Sequence, residues 1–326
     1  MIDELIGFLK DSPGVYIQTH DFPDPDAAAS AFGLRHLFRQ RGLNPEIVYA
    51  GEMQTPTLLT MVERLAIPVI NIKDTELDPS YPIVIVDGCK GNKNVTDLPG
   101  EEVAVIDHHL VTNPESVKFS DIRSHYGSCS TIIADYFDRL DETMPREVAT
   151  ALYIGLEVDT ALLTRKVDAD DLNAFGKLFA LTDHALANRI LRNHIQTQDL
   201  SFYKYAIDHL KIKDRVAFCY FPQGCNQNLM GILGDFFLAL REVNFVLLCA
   251  RNGSMVNVSL RSEVPEWNAS LVIRKALEGI GNGGGHAEMA GGVVRDADQF
   301  QPELFFNAIE MILAEEDLRH QSIFRR

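Results

Sequence analysis

Three short apolar segments in the first half of the chain end in acids or histidines, residue types that bind metal ions and transfer protons. VYIQT (15–19) is followed by HDFPDPD, PIVIV (82–86) by an aspartate, and VAVI (103–106) by DHH. The residues delivered in this way are His20, Asp24, Asp26, Asp87, Asp107, His108 and His109. Acids brought close together repel one another unless a cation neutralises them, so the set predicts a metal site.

Each of these residues, taken alone, also has an ordinary structural explanation. Asp26 stands where a helix N-cap is expected, Asp24 suits a turn, and Asp87 begins an Asp-Gly turn. These explanations do not account for His20 lying on the same short connection as both acids, nor for the set as a whole.

Asp159 is the best further ligand candidate. It lies near the end of a predicted helix in ALYIGLEVDTALLTR (151–165), where the helix macrodipole disfavours a negative side chain. A surface aspartate is the ordinary alternative. An acid that follows an apolar stretch at this position needs a partner, and a metal site elsewhere in the fold would supply one.

The donor types indicate which ions would bind. Carboxylates mixed with imidazoles, without a thiolate, suit Mn²⁺, Mg²⁺ or Co²⁺ better than a structural zinc ion. The candidate ligands are His20, Asp24, Asp26, Asp87, His108 and Asp159. These are more donors than one ion needs, and two ions roughly 3.5–4 Å apart that share a carboxylate would use them all. Such a pair activates water for attack on phosphorus.

The elements around these residues predict an α/β fold with a mainly parallel sheet. Strands are expected at Val15–Thr19, Glu46–Tyr49, Ile83–Val86 and Val103–Ile106, with a helix at Ala27–Arg41 between the first two. Because the carboxyl ends of parallel strands lie at one edge of a sheet, the metal-binding residues should converge there.

The second half of the chain predicts a change of domain near residue 195. Helices are expected at Thr131–Leu140, Arg146–Val158, Asp170–Phe179, His184–Arg192 and Leu200–Leu210. Strands are then expected at Val216–Tyr220, Phe245–Ala250 and Met255–Leu260, and helices at Asn228–Leu240, Ala269–Leu277 and Glu303–Ala314. A glycine cluster at 279–292 interrupts this pattern. We therefore predict domains at 1–194 and 195–326, joined by a polar linker near 193–200, the second a smaller α/β domain.

The motifs, in order, resemble those of the DHH phosphoesterases. These are H-x-x-P-D-x-D (20–26), the strand ending in Asp87, D-H-H (107–109) and G-x-x-x-D-T (155–160). In the second half, SLRS (259–262) and GGGH (283–286) look like the substrate-binding domain of one subfamily. That subfamily includes oligoribonucleases, 3′-phosphoadenosine-5′-phosphate (pAp) phosphatases, cyclic-dinucleotide phosphodiesterases and RecJ exonucleases.

The resemblance implies a role for each residue. One ion would be held by His20, Asp24 and Asp87, and the other by Asp26, Asp87, His108 and Asp159. His109 would contact the scissile phosphate as a catalytic residue, and Asp107 would orient the two histidines. Many family members have glycine where this chain has Pro25, but every ligand position is intact.

The resemblance also implies that the second domain grips the substrate, through Arg261, Ser262, Gly283, Gly284, Gly285 and His286. Physical arguments agree, because consecutive glycines allow a ligand to approach the backbone closely and can form an anion-binding nest. An arginine can bind phosphate through two hydrogen bonds. The ordinary alternatives are a flexible turn for the glycines and a solvated charge for Arg261.

The composition of the chain limits which binding partners are expected. The net charge is −16, from 30 basic and 46 acidic side chains, which argues against a long nucleic-acid duplex. The five cysteines are scattered, the N-terminus does not resemble a signal peptide, and no apolar run is long enough to span a membrane. These features predict a cytoplasmic protein without a membrane partner.

The expected function is metal-dependent hydrolysis of short RNA or DNA oligonucleotides, linear dinucleotides or 3′-phosphonucleotides such as pAp, with two Mn²⁺ ions as cofactor. A single-strand exonuclease of RecJ type is the enzymatic alternative, although it would need a basic or aromatic track. A catalytically idle nucleotide-binding module and an inorganic pyrophosphatase are further alternatives. A homodimer is one expected assembly.

Overall fold

The first strands of the chain form a parallel sheet that matches the sequence expectation. The structure, a computed structural model, describes residues 2–109, 117–192 and 195–323. In this sheet β1 to β6 are, in chain order, Val15–Gln18, Pro45–Tyr49, Val69–Asn71, Ile83–Val86, Glu102–Asp107 and Phe119–Ile122. They are arranged β3-β2-β1-β4-β5-β6, and every neighbouring pair is parallel. The predicted α/β class is therefore confirmed.

Helices α1 to α7 accompany this sheet. They are, in chain order, Ile2–Leu9, Pro25–Gln40, Pro56–Arg64, Cys129–Leu140, Arg146–Asp159, Ala169–Leu181 and His184–Arg192. All of them contribute to one apolar core together with strand residues such as Ile17, Val84 and Ile106. The alternate strand residues, among them Ile85 and Val105, belong to a second cluster. Because the central strands are buried on both faces, they are continuous apolar runs in the sequence.

Small residues bring α2 and α5 into close contact. The buried face of α2 is rich in alanine, and a Cβ on its Gly33 would lie 2.7 Å from Ile133 Cγ2 on α4 and 3.3 Å from Leu152 Cδ2 on α5. Any larger residue at this position would push the helices apart. This packing matters for the site, because α2 begins and α5 ends beside it.

The chain divides into two compact units, Met1–His194 and Ile195–Arg326, hereafter the N-terminal and C-terminal units. The strands β7 to β12 of the C-terminal unit are Lys211–Lys213, Val216–Phe221, Phe245–Asn252, Met255–Ser262, Gly281–Gly285 and Met289–Val294. They form a mixed sheet in the order β11-β12-β10-β9-β8-β7. Its helices α8 to α11 are Leu200–His209, Gln227–Leu238, Ala269–Ala276 and Pro302–Ile323. Among the described helices, none combines the length and apolar character needed to cross a bilayer.

The glycine cluster is the main departure from the sequence expectation, because it forms a strand pair instead of a loop. In the register of β11 with β12, Gly283 lies opposite Gly292 and Gly284 opposite Gly291. A Cβ on Gly283 would lie 2.7 Å from Ile273 Cγ1, and one on Gly292 would lie 2.3 Å from Leu277 Cδ1. The glycines are therefore needed for α10 to pack onto the sheet.

Candidate metal centre

The candidate ligands lie where the strand order reverses. Successive strands run outward from β1 in one direction (β1, β2, β3) and from β4 in the other (β4, β5, β6), so the crevice opens beyond the carboxyl ends of β1 and β4. His20 follows β1, Asp87 follows β4, and Asp107 closes β5. Asp87 has a left-handed backbone with φ 55°, which a non-glycine residue adopts only under local constraint.

Two groups of side chains meet at this edge. His20, Asp24 and Asp87 offer ligand atoms that all lie within 4.8 Å of one another, and so do Asp26, His108 and Asp159. The groups are linked through His108 Nε2, which lies 3.4 Å from Asp87 Oδ1 and 3.0 Å from Asp159 Oδ2. The structure thus brings together all six residues that the sequence proposed as ligands.

Backbone contacts orient the histidine and the aspartates. Nδ1 of His108 donates to the carbonyl of Tyr126 at 3.2 Å, so Nε2 is the nitrogen that faces the acids. Asp24 is the N-cap of α2 and accepts from Ala27 N at 3.0 Å. The sequence suggested Asp26 as this cap, which is wrong by two residues because Pro25 occupies the first helical position.

Asp26 is instead held by a second helix. Its Oδ2 accepts from Cys129 N at 2.7 Å and its Oδ1 from Ser130 N at 2.9 Å and from the Ser130 hydroxyl. These donors form the N-terminus of α4, where amides are free and the helix dipole favours a carboxylate. The sequence did not indicate this role, because backbone amides have no signature in the amino-acid sequence.

Unsatisfied buried atoms test whether the site fits a metal. His108 Nε2 and Asp87 Oδ1 are buried and make no hydrogen bond with any described residue, although both lie close to acids or imidazoles. Buried polar atoms are normally paired. Atoms that surround a common point without hydrogen-bonding one another have the arrangement of ligands, and carboxylate and imidazole donors suit a divalent ion.

The shifted pKa values of the buried acids and of His108 also fit a cation site. Burial and the nearby carboxylates of Asp87 and Asp159 raise the pKa of Asp24 to about 6 and also raise the pKa of Asp26. Burial opposes a charge on His108, but its contacts with Asp159 and Asp87 outweigh this and raise its pKa to about 12. The buried acids therefore favour a nearby positive charge, which a bound divalent ion would supply.

Asp107 and His109 form a separate arrangement beside the ligands. Asp107 is fully buried, and its Oδ1 accepts from His108 N at 2.8 Å, from His109 N at 3.1 Å and from His109 Nδ1 at 2.9 Å. The pKa of His109 is raised, chiefly by the hydrogen bond with Asp107. The imidazole of His109 is 48% exposed, so its Nε2–H remains available to a ligand.

The last motif, G-x-x-x-D-T, fits against the same helix start. A Cβ on Gly155 would lie 2.4 Å from Ser130 Oγ and 2.9 Å from Asp26 Oδ1. Thr160 packs against Gly127, where a Cβ would lie 2.6 Å from the threonine methyl group. Gly155 therefore leaves space for the Asp26–Ser130 contact, four residues before Asp159.

In the C-terminal unit, Arg261 and His286 line a pocket of about 230 Å³ together with Gln227, Ser259 and Gly285. Nε of Arg261 donates to Asp235 Oδ1 at 2.5 Å, and Nη1 donates to the carbonyl of Leu260 at 3.1 Å. The side chain of Arg261 passes close to α9, where glycines leave space for it. A Cβ on Gly231 would lie 2.8 Å from Arg261 Nη2. The sequence did not identify Asp235 or Gly231.

The other residues proposed for substrate binding lie elsewhere. Ser262 is buried, and its hydroxyl accepts from Val264 N at 3.3 Å in a local turn. Gly283 and Gly284 belong to β11 and are not among the residues that line the pocket. The sequence suggested a loop in which three glycine amides bind an anion. This conformation is wrong, because the segment is a paired strand.

Comparison with known proteins adds independent information. A model of the DHH family N-terminal domain matches residues 14–156, and a model of the DHHA1 domain matches residues 213–315. The bifunctional oligoribonuclease and PAP phosphatase NrnA of Mycoplasma genitalium is 24% identical over 324 residues, covering 91% of this chain and 94% of that protein.

Two further proteins are similar to part or all of this chain. A probable manganese-dependent inorganic pyrophosphatase of Streptococcus thermophilus is 28% identical over 151 residues, which are 46% of this chain and 49% of that protein. The chain spans about half the length of several curated relatives that it matches. The crystal structure of an exopolyphosphatase-related protein from Bacteroides fragilis superimposes with a TM-score of 0.78 at 18% identity, over 97% of this chain and 96% of that one.

Proposed function

The chain belongs to the DHH family, and on that premise we propose that it is a divalent-metal-dependent phosphoesterase acting on short oligonucleotides, linear dinucleotides or 3′-phosphonucleotides such as pAp. One observation carries the proposal: six candidate ligand side chains converge. Two of their buried atoms, His108 Nε2 and Asp87 Oδ1, make no hydrogen bond with any described residue. We propose that it acts in the cytoplasm, because its five cysteines are free and buried.

The residues divide between two ion positions. His20, Asp24 and Asp87 would hold one ion, and Asp26, Asp87, His108 and Asp159 the other, with Asp87 shared. Mn²⁺ is the ion we propose, and Mg²⁺ or Co²⁺ fit the same donors. When bound, such a pair supplies positive charge and a water activated for attack on phosphorus.

The chain's own residues position the substrate and the protons. Because Nδ1 of His109 is bound to Asp107, the protonated imidazole can donate from Nε2 to a phosphate oxygen and stabilise the charge that develops there. Asp107 holds both histidines through Oδ1. In the C-terminal unit, Arg261 and His286 would bind a phosphate or base of the substrate.

The choice of a short nucleotide substrate rests on the relatives and on charge. The NrnA relative, named as an oligoribonuclease and PAP phosphatase, matches nearly the whole chain, whereas the pyrophosphatase matches less than half. The net charge of −16 disfavours a long polyanion. These facts support a nucleotide over pyrophosphate and over a long single strand, which is the substrate of the RecJ-type alternative.

A hydrolysis panel tests the proposal. The purified protein with Mn²⁺ is given pGpG, pApA, a short RNA series, pAp, cyclic di-AMP, pyrophosphate and long single-stranded DNA. We expect turnover of dinucleotides, short RNA or pAp, and little of pyrophosphate or long DNA. Failure to hydrolyse any phosphodiester or 3′-phosphate when Mn²⁺ is bound would overturn it.

Asp87→Ala is the matching variant, with Asp74→Ala, an exposed aspartate of the same unit, as its control. Because Asp87 is shared by both ion positions, its loss should abolish Mn²⁺ binding and activity together. Asp74→Ala should leave both unchanged. A fully active Asp87→Ala protein would contradict the two-ion assignment.

A further inference from the structure

We propose that Asp171, on α6, is a positioning residue of the metal centre: it fixes the segment 126–130, which in turn orients the ligands Asp26 and His108. The inference rests on the proposed function only in taking these two residues as metal ligands. Asp171 itself touches neither ligand in the described contacts.

The segment 126–130 reaches both ligands from outside the sheet. Its first residue, Tyr126, accepts from His108 Nδ1 through its carbonyl, and its last two residues donate their amides to the two oxygens of Asp26. The segment follows β6 and leads into α4, so no strand pairing fixes its position relative to the two ligands. A shift in this one segment would therefore displace two ligands that arise from different elements.

Asp171 binds this segment through a donor that neither ligand uses. It is fully buried, and its Oδ2 accepts from Gly127 N at 2.8 Å, while its Oδ1 accepts from Thr131 Oγ1 at 2.5 Å. Oδ2 also accepts from Asp168 N at 2.8 Å, which is the ordinary capping contact of α6. Capping needs only this last bond, whereas the other two reach Gly127 of the segment and Thr131, the residue directly after it, about 40 residues earlier in the chain.

Gly127 shows how closely the segment is held. A Cβ at this position would lie 2.8 Å from the carbonyl oxygen of Lys166 and 3.0 Å from Asp171 Oδ2. The side chain of Thr160, next to the ligand Asp159, closes the remaining space. Thr160, Lys166 O and Asp171 therefore all lie close to Gly127, and removing the carboxylate would remove one of the three contacts that confine the segment.

The test measures Mn²⁺ affinity, from the EPR signal of free Mn²⁺ in titrations of the full chain. We expect Asp171→Ala to weaken binding about tenfold, as is typical for groups that support metal ligands. Asp171→Asn should restore affinity to within about twofold of the parent protein, because its amide oxygen can accept from Gly127 and Asp168 while its NH₂ donates to Thr131 Oγ1.

Asp168→Ala is the matched control, because it removes the N-cap side chain of the same helix but no contact with the segment. It should lower the unfolding temperature and leave Mn²⁺ affinity unchanged. An equal loss of affinity in Asp168→Ala and Asp171→Ala would overturn the inference, since the effect would then come from α6 as a whole. Failure of Asp171→Asn to restore affinity would also contradict it.

Thr131→Val covers the case in which Asp171→Ala does not fold. It removes the hydroxyl that donates to Asp171 and contacts Ser128 Oγ, and it should weaken Mn²⁺ binding roughly threefold. Unchanged affinity in the folded variants would overturn the inference while the parent protein still binds Mn²⁺ and hydrolyses its substrate. A parent protein that binds no Mn²⁺ would contradict the proposed function instead, and with it the roles of Asp26 and His108.

Discussion

Gly155 illustrates how a single missing side chain supports the site. It lies inside α5, where alanine would ordinarily be preferred over glycine. The space that its Cβ would fill is already taken by the contact between Asp26 and Ser130. The glycine of the G-x-x-x-D-T motif therefore leaves space for Asp26 of α2, a proposed ligand, and precedes the proposed ligand Asp159.

Gly155→Ala should destabilise the protein, even though alanine favours a helix. Overpacking costs about 1–3 kcal/mol, against a gain in helix propensity of about 1 kcal/mol. Because the nearest atoms belong to Asp26 and Ser130, Mn²⁺ affinity should fall as well. Urea unfolding and Mn²⁺ titration measure the two effects.

Gly176→Ala is the control for this change. Gly176 lies in α6 with nothing within 4 Å of its Cβ position, so alanine there should stabilise the protein by up to about 1 kcal/mol and leave Mn²⁺ affinity unchanged. A stabilised Gly155→Ala protein with normal affinity would contradict the packing argument.

At the residue scale, the sequence predicted which side chains converge but not which groups hold them in position. The six proposed ligands are histidines and aspartates, whose types and positions after apolar runs are visible in the sequence. The groups that orient them are mostly backbone atoms, such as Tyr126 O and Cys129 N, and a distant carboxylate, Asp171. No local pattern links Asp171 to Gly127, because their proximity exists only in the folded chain.

At the scale of elements, burial explains which strands the sequence revealed. β1, β4 and β5 are buried throughout and were predicted, whereas the edge strands β3 and β6 are only partly buried and were not. β11 was missed for another reason: a strand made almost entirely of glycine has neither an apolar alternation nor β-branched residues.

β6 and α4 are tied by a network of charges that should make stability depend on pH. Asp121 in β6 accepts from Arg123 and from Tyr136 Oη of α4, and Arg123 also binds Asp135. Burial opposes the charge of Asp121, but the contacts with Arg123 and Tyr136 outweigh it and lower the pKa of Asp121. Asp121→Asn should cost about 2 kcal/mol at pH 7, because it removes charge-assisted hydrogen bonds.

The sign of the pH effect follows from the lowered pKa. The stabilisation is fully present above the pKa of an unfolded aspartate, about 3.9, and is lost as the pH falls through the lower pKa of the folded state. Urea unfolding of both proteins should show a difference that shrinks below pH 4. With Asp74→Asn as a surface control, an Asp121→Asn difference that is the same at pH 7 and pH 3 would refute the argument.

At the scale of the whole molecule, the two units have separate apolar cores. Each unit contains a buried cysteine whose alkylation would report the opening of that unit. Cys129 lies in the N-terminal unit beside Asp26, and Cys249 lies in the C-terminal unit. Both are fully buried, and burial raises the pKa of each thiol well above its ordinary value. Alkylation of either thiol should therefore require opening of the unit that contains it.

Mn²⁺ should protect one cysteine and not the other. At a Mn²⁺ concentration of 100 times Kd, binding stabilises the folded site by about 2.7 kcal/mol, so alkylation of Cys129 through the open state should slow about 100-fold. The rate for Cys249 should change less than twofold. Mass spectrometry of iodoacetamide-labelled peptides measures both rates, and equal protection of the two would show that the units open together.

The two amides that hold Asp26 also bear on which ions the centre accepts. Oδ1 of Asp26 already accepts two hydrogen bonds from Ser130, so only Oδ2, which accepts one from Cys129 N, keeps a lone pair for an ion, and Asp24 has one oxygen bound to Ala27 N. Ca²⁺ requires six to eight oxygen ligands in a flexible shell, often including bidentate carboxylates. Because Asp26 offers an ion one oxygen and imidazoles supply other donors, we expect the centre to bind Ca²⁺ more weakly than Mn²⁺.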